Sequence, residues 1–231
     1  MAEKGILYLK SLKEQVYEYL QDQLEKGELR PGSSINMEET SRKLGVSRTP
    51  LRDALLQLEM EGFVSILPRR GVIVNHLTLK DIKNCYEIIG ALESATLMAN
   101  FDRIKDAQIR KMHALNDEMK QAIEKDDFNL YYQKNLKFHD VFLNLCENIN
   151  LVKIVKTLKK RLYDFPRKEG FVKQWELSSI HEHLELVRLI EEGKKDQASN
   201  YIRDVHWSYR VQEKFLKKYY RHATIASEEK D

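Results

Sequence analysis

The chain has 231 residues, and 39 lysines and arginines against 36 aspartates and glutamates leave a formal charge of +3, which excludes a uniformly polycationic nucleic-acid binder but allows a local basic patch. This length predicts two domains, each able to bury its own core. Two distant cysteines, Cys85 and Cys146, without CxxC spacing, argue against a disulfide framework or a zinc ribbon, and no apolar run reaches the roughly 18 residues of a membrane span, so a cytoplasmic protein without a membrane partner is expected.

In chain order, Leu12, Val16, Tyr19, Leu20 and Leu24 recur at helical spacing and the run stops at Gly27, which predicts a first helix. After a turn at Leu29-Arg30-Pro31-Gly32, a short second helix runs from Glu38 to Leu44 and ends at Gly45. Ser47 is placed to cap a third helix, with Pro50 in its first turn and Leu51, Ala54, Leu55 and Leu58 on its inner face. Gly62 closes it. Two β-branched runs, Phe63 to Leu67 and Gly71 to Val74, then flank Pro68-Arg69-Arg70 as a hairpin wing.

Beyond Leu77 the pattern is helical, with segments predicted near 79–101, 105–125, 127–147, 149–165, 175–192 and 195–220. The expected fold is mainly α: a winged helix-turn-helix over residues 1–76, an all-α antiparallel six-helix bundle over 77–222, and a polar tail over 223–231.

Two short helices joined by Gly45-Val46-Ser47 form a helix-turn-helix, whose second member offers its N-terminal residues to the major groove. Four cations, Arg42, Lys43, Arg48 and Arg52, and no acid lie between Arg42 and Arg52, although residues 1–76 hold eleven charges of each sign. Guanidinium forks suit guanine O6 and N7, whereas hydroxyls and helix-start amides suit phosphate. The expected DNA contacts are therefore Arg42, Ser47, Arg48, Thr49 and Arg52. Arg69, Arg70 and Gly71 at the wing tip are expected to meet the minor groove.

The segment GVSRTPLRDALLQLEMEGFV, Gly45 to Val64, with the upstream GELRPG and the wing PRRGVIV, resembles the GntR family of bacterial regulators. The helical remainder, on Phe138-His139 and Glu182-His183, is similar to the FadR-type branch with its effector-binding FCD domain. The resemblance implies a homodimer on near-palindromic operator DNA, regulated by a small-molecule effector such as an organic acid, most simply a repressor released from its operator. Glu38 stands where some members carry an arginine. Ile89, two residues after Glu87, stands where many carry an acid-receiving arginine, so the effector residues stay unassigned; Arg161, Arg188 and Tyr132 are alternatives.

Asn135 and His139, four apart, share a helical face. His183 lies in phase with Ile180, Val187 and Ile190, and His206 follows Ile202 on the last helix. The resemblance implies a divalent metal, zinc, nickel or manganese, held by an aspartate and three histidines. Here Asn135 replaces the aspartate, and His206 falls one residue late, with Val205 in the expected register. In a regular helix that turns the imidazole away by about 100°.

Enzyme motifs are missing. His181-Glu182-His183 fails as HExxH because Glu185 follows, and no phosphate loop, GxGxxG turn or nucleophile elbow occurs. The competing readings are a metal-dependent helical-bundle enzyme and an effector-independent DNA-binding protein.

Overall fold

A computed structural model describes residues 10–163 and 172–219. Contacts divide the chain into two compact units, with the main division between His76 and Leu77. The polar tail expected at 223–231 lies outside the described residues.

In the first unit, α1 (Leu12–Glu25) starts from Ser11, whose hydroxyl accepts from the Glu14 amide while the Glu14 carboxylate accepts from the Ser11 N–H at 2.7 Å, satisfying two otherwise unpaired amides. Helix α2 (Met37–Leu44) is capped by the Asn36 side chain and ends at Gly45, whose φ of 65° reverses the chain. The turn into α3 (Arg48–Met60) is fixed by Val46 N–H on the Ser41 carbonyl and by the Ser41 hydroxyl on the Val46 carbonyl. Ser47 sits at the N-cap with extended backbone, but its hydroxyl makes no capping bond; the predicted role is filled in position only. Helices α1 and α3 pack together, burying Val16, Leu20 and Leu24 and, from α3, Leu51, Leu55 and Leu58, worth about 1.5–3 kcal/mol per side chain in removed apolar surface.

The wing is formed by β2 (Val64–Leu67) and β3 (Gly71–Val74), paired antiparallel from Val64 opposite Val74 to Leu67 opposite Gly71. Its tip turns through Arg69 and Gly71, at φ of 63° and 83°. A further strand, β1 (Ser34–Ile35), pairs with β3 and makes the sheet order β1-β3-β2. Sequence patterning misses β1 because two residues are too few to display alternation.

The second unit is the expected bundle: α4 (Leu79–Asn100), α5 (Asp106–Glu124), α6 (Phe128–Leu143), α7 (Ile149–Tyr163), α8 (Lys173–Glu191), and a sixth rod made of α9 (Lys195–Tyr201), a π turn (Ile202–His206) and α10 (Tyr209–Tyr219). Thr78 and Asp81 form a capping box that starts α4. Helix α5 packs on α6 and α8, while α4 packs on α6, α9 and the π turn. Fully buried Ile82, Ile89, Leu97, Met112, Phe138 and Phe142 fill the interior.

The sixth rod departs from the unbroken helix predicted over 195–220. The Trp207 N–H reaches back five residues to the Ile202 carbonyl at 2.9 Å, the signature of a π turn, which holds one residue more than an α turn. Close packing accompanies it: a Cβ on Gly90 of α4 would lie 3.0 Å from the Trp207 Cβ.

Candidate DNA interface and metal centre

The first candidate site is an open groove of about 710 Å³ in the first unit, lined by Arg48, Thr49 and Arg52 of α3, Arg70 and Gly71 of the wing, and Glu38 of α2, among others. Two hydrogen-bond systems fix the wing to the helix. Glu59 of α3 accepts the Ile66 N–H at 2.7 Å. Asn75 donates to the Gly62 carbonyl and accepts from the Ser65 hydroxyl.

Arg42 and Arg48 are highly exposed and share a loose ion pair with Glu38, at 3.9 and 3.8 Å. Such pairs are weak and screened, so both guanidiniums are free to exchange a carboxylate for a phosphate or a base edge. Ser47 stands at the start of α3, and Arg69 in the wing turn. The groove therefore unites residues from Arg48 to Arg70, with Arg42, Ser47 and Arg69 on the elements that border it.

The second candidate site lies in the interior of the second unit. His139 of α6, His183 of α8 and His206 of the π turn present ring nitrogens that all lie within 4.8 Å of one another, with ring centroids 4.8 to 5.2 Å apart. His206 is thus brought in despite its late register: the extra residue of the π turn supplies the rotation that a regular helix denies. Asn135, one turn before His139 on α6, is buried as well.

Each outer histidine is oriented by a carboxylate. His139 Nδ1 bonds Glu93 Oε2 at 2.8 Å, and His206 Nδ1 bonds Glu182 Oε2 at 2.8 Å. An ionised carboxylate only accepts, so Nδ1 carries the proton and Nε2 presents its lone pair, the arrangement in which imidazoles bind metals. Those carboxylates are held in turn: Glu93 Oε2 also accepts the Trp207 indole N–H at 2.8 Å, and Glu182 Oε1 accepts from Gln212, whose own Oε1 accepts from Trp175.

Electrostatics keep His139 and His183 neutral and the Glu93 carboxylate charged. Burial pushes His139 down to about 3, against the pull of Glu93. Burial and the neighbouring His206 and His139 hold His183 well below the ordinary imidazole value. Burial opposes ionisation of Glu93, but His139 and Lys159 outweigh it and hold the carboxyl well below the usual range.

The residues fit a divalent ion. His139 Nε2 and both nitrogens of His183 are buried without a hydrogen-bond partner, an arrangement that native interiors avoid unless something else satisfies those atoms. In a tetrahedral site, metal–nitrogen bonds of about 2.1 Å set ligand nitrogens about 3.4 Å apart, so nitrogens lying within 4.8 Å of one another need side-chain shifts on the order of an ångström to close the cage. Three imidazoles are a donor set able to hold a divalent metal without selecting sharply among such ions.

Several participants escape sequence reasoning. Glu93 continues the stripe of Tyr86, Ile89 and Leu97 on α4, and Lys159 lies in phase with Val155 and Leu162 on α7; a charge on an apolar stripe was the available signal. Among the alternatives for effector contacts, Arg188 is exposed and clamped by Glu185 and Glu192, Arg161 lies 3.7 Å from Asp81, and Tyr132 stacks on Phe128. His181 is exposed and bonds the Leu177 carbonyl.

Comparison with known proteins identifies both units. Residues 12–74 match the family model described as bacterial regulatory proteins, gntR family, and residues 84–205 match the FCD domain. The chain is 29% identical over 175 residues to the Nta operon transcriptional regulator of Aminobacter aminovorans, covering 75% of this chain and 80% of that one. It is 25% identical over 134 residues to the HTH-type transcriptional repressor RspR of Escherichia coli, covering 58% and 59%. The solved structure of E. coli McbR/YncC superposes with a TM-score of 0.68 at 22% identity, covering 93% of this chain and 99% of that one, a likeness of fold. This chain therefore belongs to the GntR family of bacterial regulators, with an FCD effector-binding domain, and is a DNA-binding, effector-responsive regulator and not an enzyme.

Proposed function

We propose that the protein works as a cytoplasmic homodimer that represses transcription from a near-palindromic operator and leaves it when a small organic acid binds the FCD domain. The observation that carries the reading is the groove uniting Arg48, Thr49 and Arg52 with Arg70 and Gly71 of the wing. Recognition helix and wing present three arginines on one concave surface, suited to a duplex whose backbone sets affinity and whose base edges set specificity. Arg42 near the end of α2, Ser47 at the N-cap of α3 and Arg69 in the wing turn complete the contact set. A two-fold dimer presents two such surfaces to two half-sites about one helical turn apart. Repression is supported by the partial similarity to RspR.

In the FCD domain, His139, His183 and His206, with Asn135 as a fourth donor, would hold a divalent ion, which when bound would supply a Lewis-acidic anchor for oxygen atoms of the effector. Glu93 and Glu182 keep the Nδ1 protons in place, and the apolar shell around Phe138 and Phe142 excludes water. The effector shifts the DNA-bound equilibrium only to the extent that it binds the released arrangement more tightly.

Recovering DNA bound by the protein from its native genome tests the regulatory reading; enrichment of a palindromic site supports it, and binding no tighter than to scrambled duplex across a range of salt overturns it. Elemental analysis of purified wild type and a His139→Ala/His183→Ala variant tests the metal: about one ion per chain in the former and none in the latter is expected, and equal content in both removes the cage.

A further inference from the structure

The recognition helix carries an acid where a duplex would lie. Asp53 of α3 is exposed and lines the groove beside Arg48, Thr49 and Arg52. No described residue gives it a hydrogen bond or an ion pair. Glu38, the other carboxylate of the groove, faces Arg42 and Arg48 and so has its charge balanced within the protein.

Helix energetics do not account for an acid at this position. Asp53 follows Arg48, the first residue of α3, by five positions, beyond the first turn in which a carboxylate gains from the helix dipole. Its neighbours three and four residues away are Thr49, Pro50, Leu56 and Gln57, so no cation completes a pair along the helix. Facing a duplex, an unpaired carboxylate is repelled by the phosphates and weakens binding to every sequence alike. A hydrogen-bond donor on a base edge is what offsets that repulsion.

The outward face of α3 is built as two rows. Arg48 and Arg52 lie one turn apart, about 6 Å along the axis and close to two base-pair steps of about 3.4 Å, and their guanidiniums only donate. Thr49 and Asp53 form the next row, turned by about 100°, and an ionised aspartate only accepts. A G·C pair presents the matching set in the major groove: acceptors O6 and N7 on guanine, and the N4 amino donor on cytosine.

We infer that Asp53 is a specificity-determining residue of the operator contact, its carboxylate accepting from the N4 amino group of a cytosine beside guanine edges read by the arginine row. This rests on the DNA-binding reading and adds to it the base that the second row selects. Guanine and thymine turn acceptor oxygens toward the groove and repel a carboxylate. Adenine offers an amino group but sets the N7 lone pair next to it, against the second carboxylate oxygen. The acid therefore gives up general affinity and gains discrimination.

The test is binding-site selection from a random duplex library by the full-length wild type, Asp53→Ala and Asp53→Asn. Fluorescence anisotropy then compares the selected duplex with the same duplex carrying A·T at the assigned position. The wild type is expected to require a G·C pair at one position of each half-site. Asp53→Ala should accept any pair there, with the ratio of affinities for the G·C and A·T duplexes falling at least about fivefold. Asp53→Asn, of nearly the same shape, should turn the preference toward A·T, because a carboxamide pairs with adenine N6 and N7 together. Both variants lose a negative charge and bind all duplexes more tightly, so the ratio is the readout and not the affinity.

Retention of the full wild-type ratio by either variant overturns the inference and leaves Asp53 a source of repulsion only. Relaxation at an A·T position overturns it as well. A wild type that enriches no sequence is a separate result, which removes the regulatory reading and the inference with it.

Discussion

The two units handle charge in opposite ways. In the DNA-binding unit, the guanidiniums of Arg42 and Arg48 are exposed and joined only loosely to Glu38. In the FCD domain, Glu93, His139 and Lys159 are buried, and two of their contacts link residues far apart in the chain. The contrast teaches that an interface for a large, strongly charged partner needs cations that water can release, whereas a pocket for a small ligand needs polar groups fixed in advance and shielded from solvent. Substitutions should therefore change affinity in the first unit and folding in the second.

The largest effect is expected from Glu93→Ala. It strands the Lys159 ammonium and leaves the N–H groups of His139 and Trp207 without an acceptor, and losing one partner of a buried pair costs about 3–5 kcal/mol. Urea unfolding of the chain followed by Trp fluorescence measures it; a loss below about 1 kcal/mol would mean that the ion pair is solvated and that the contrast fails.

Next comes Arg52→Ala, on the opposite side of the comparison. It should lower operator affinity by about 1–3 kcal/mol and relax selectivity at one base position while leaving the melting temperature unchanged. Unaltered selectivity in a binding-site selection experiment would reassign Arg52 to the phosphate backbone.

Acid should distinguish the units a third way. The folded His139 titrates near 3 and its unfolded counterpart near 6.5, so between these values the unfolded chain takes up a proton that the folded chain refuses. Stability of the chelator-treated protein falls as pH drops through this window, by up to about 1.4 kcal/mol per pH unit for each such histidine. Denaturation midpoints at pH 7 and 5.5 check the sign. A flat profile would mean that the imidazole is solvated.

The smallest effect belongs to Glu38→Gln. Removing a carboxylate that faces Arg42 and Arg48 should raise affinity for any duplex by a few tenths of a kcal/mol, within the range of exposed ion pairs, with no change in sequence preference. Fluorescence anisotropy on operator and scrambled DNA separates this from a specific contact.

The same contrast explains what the sequence revealed. The helix-turn-helix is a local object: Gly45 closing one helix, Pro50 in the first turn of the next and β-branched runs flanking Pro68-Arg69-Arg70 are all signals between neighbours in the chain, so residues 12–74 are legible almost element by element. The histidine cluster is assembled from α6, α8 and the sixth rod, with support from α4 and α7. Periodicity could put His139 and His183 on inward faces, yet it could not show that Glu93 and Lys159 meet. His206 was assigned a register that a uniform helix would impose, and a change of helical pitch within five residues leaves no mark on an apolar repeat.

That change of pitch has a further consequence. Neighbouring side chains on an ordinary helix diverge by about 100°, yet His206 and Trp207 both reach the same polar assembly, one ring beside His139 and His183 and the other on Glu93. A single-residue deletion between Ile202 and His206 would not be a minor edit: it would withdraw an imidazole of the histidine cluster and an indole donor together, so the length of that stretch of backbone matters to the assembly as much as the side chains it carries.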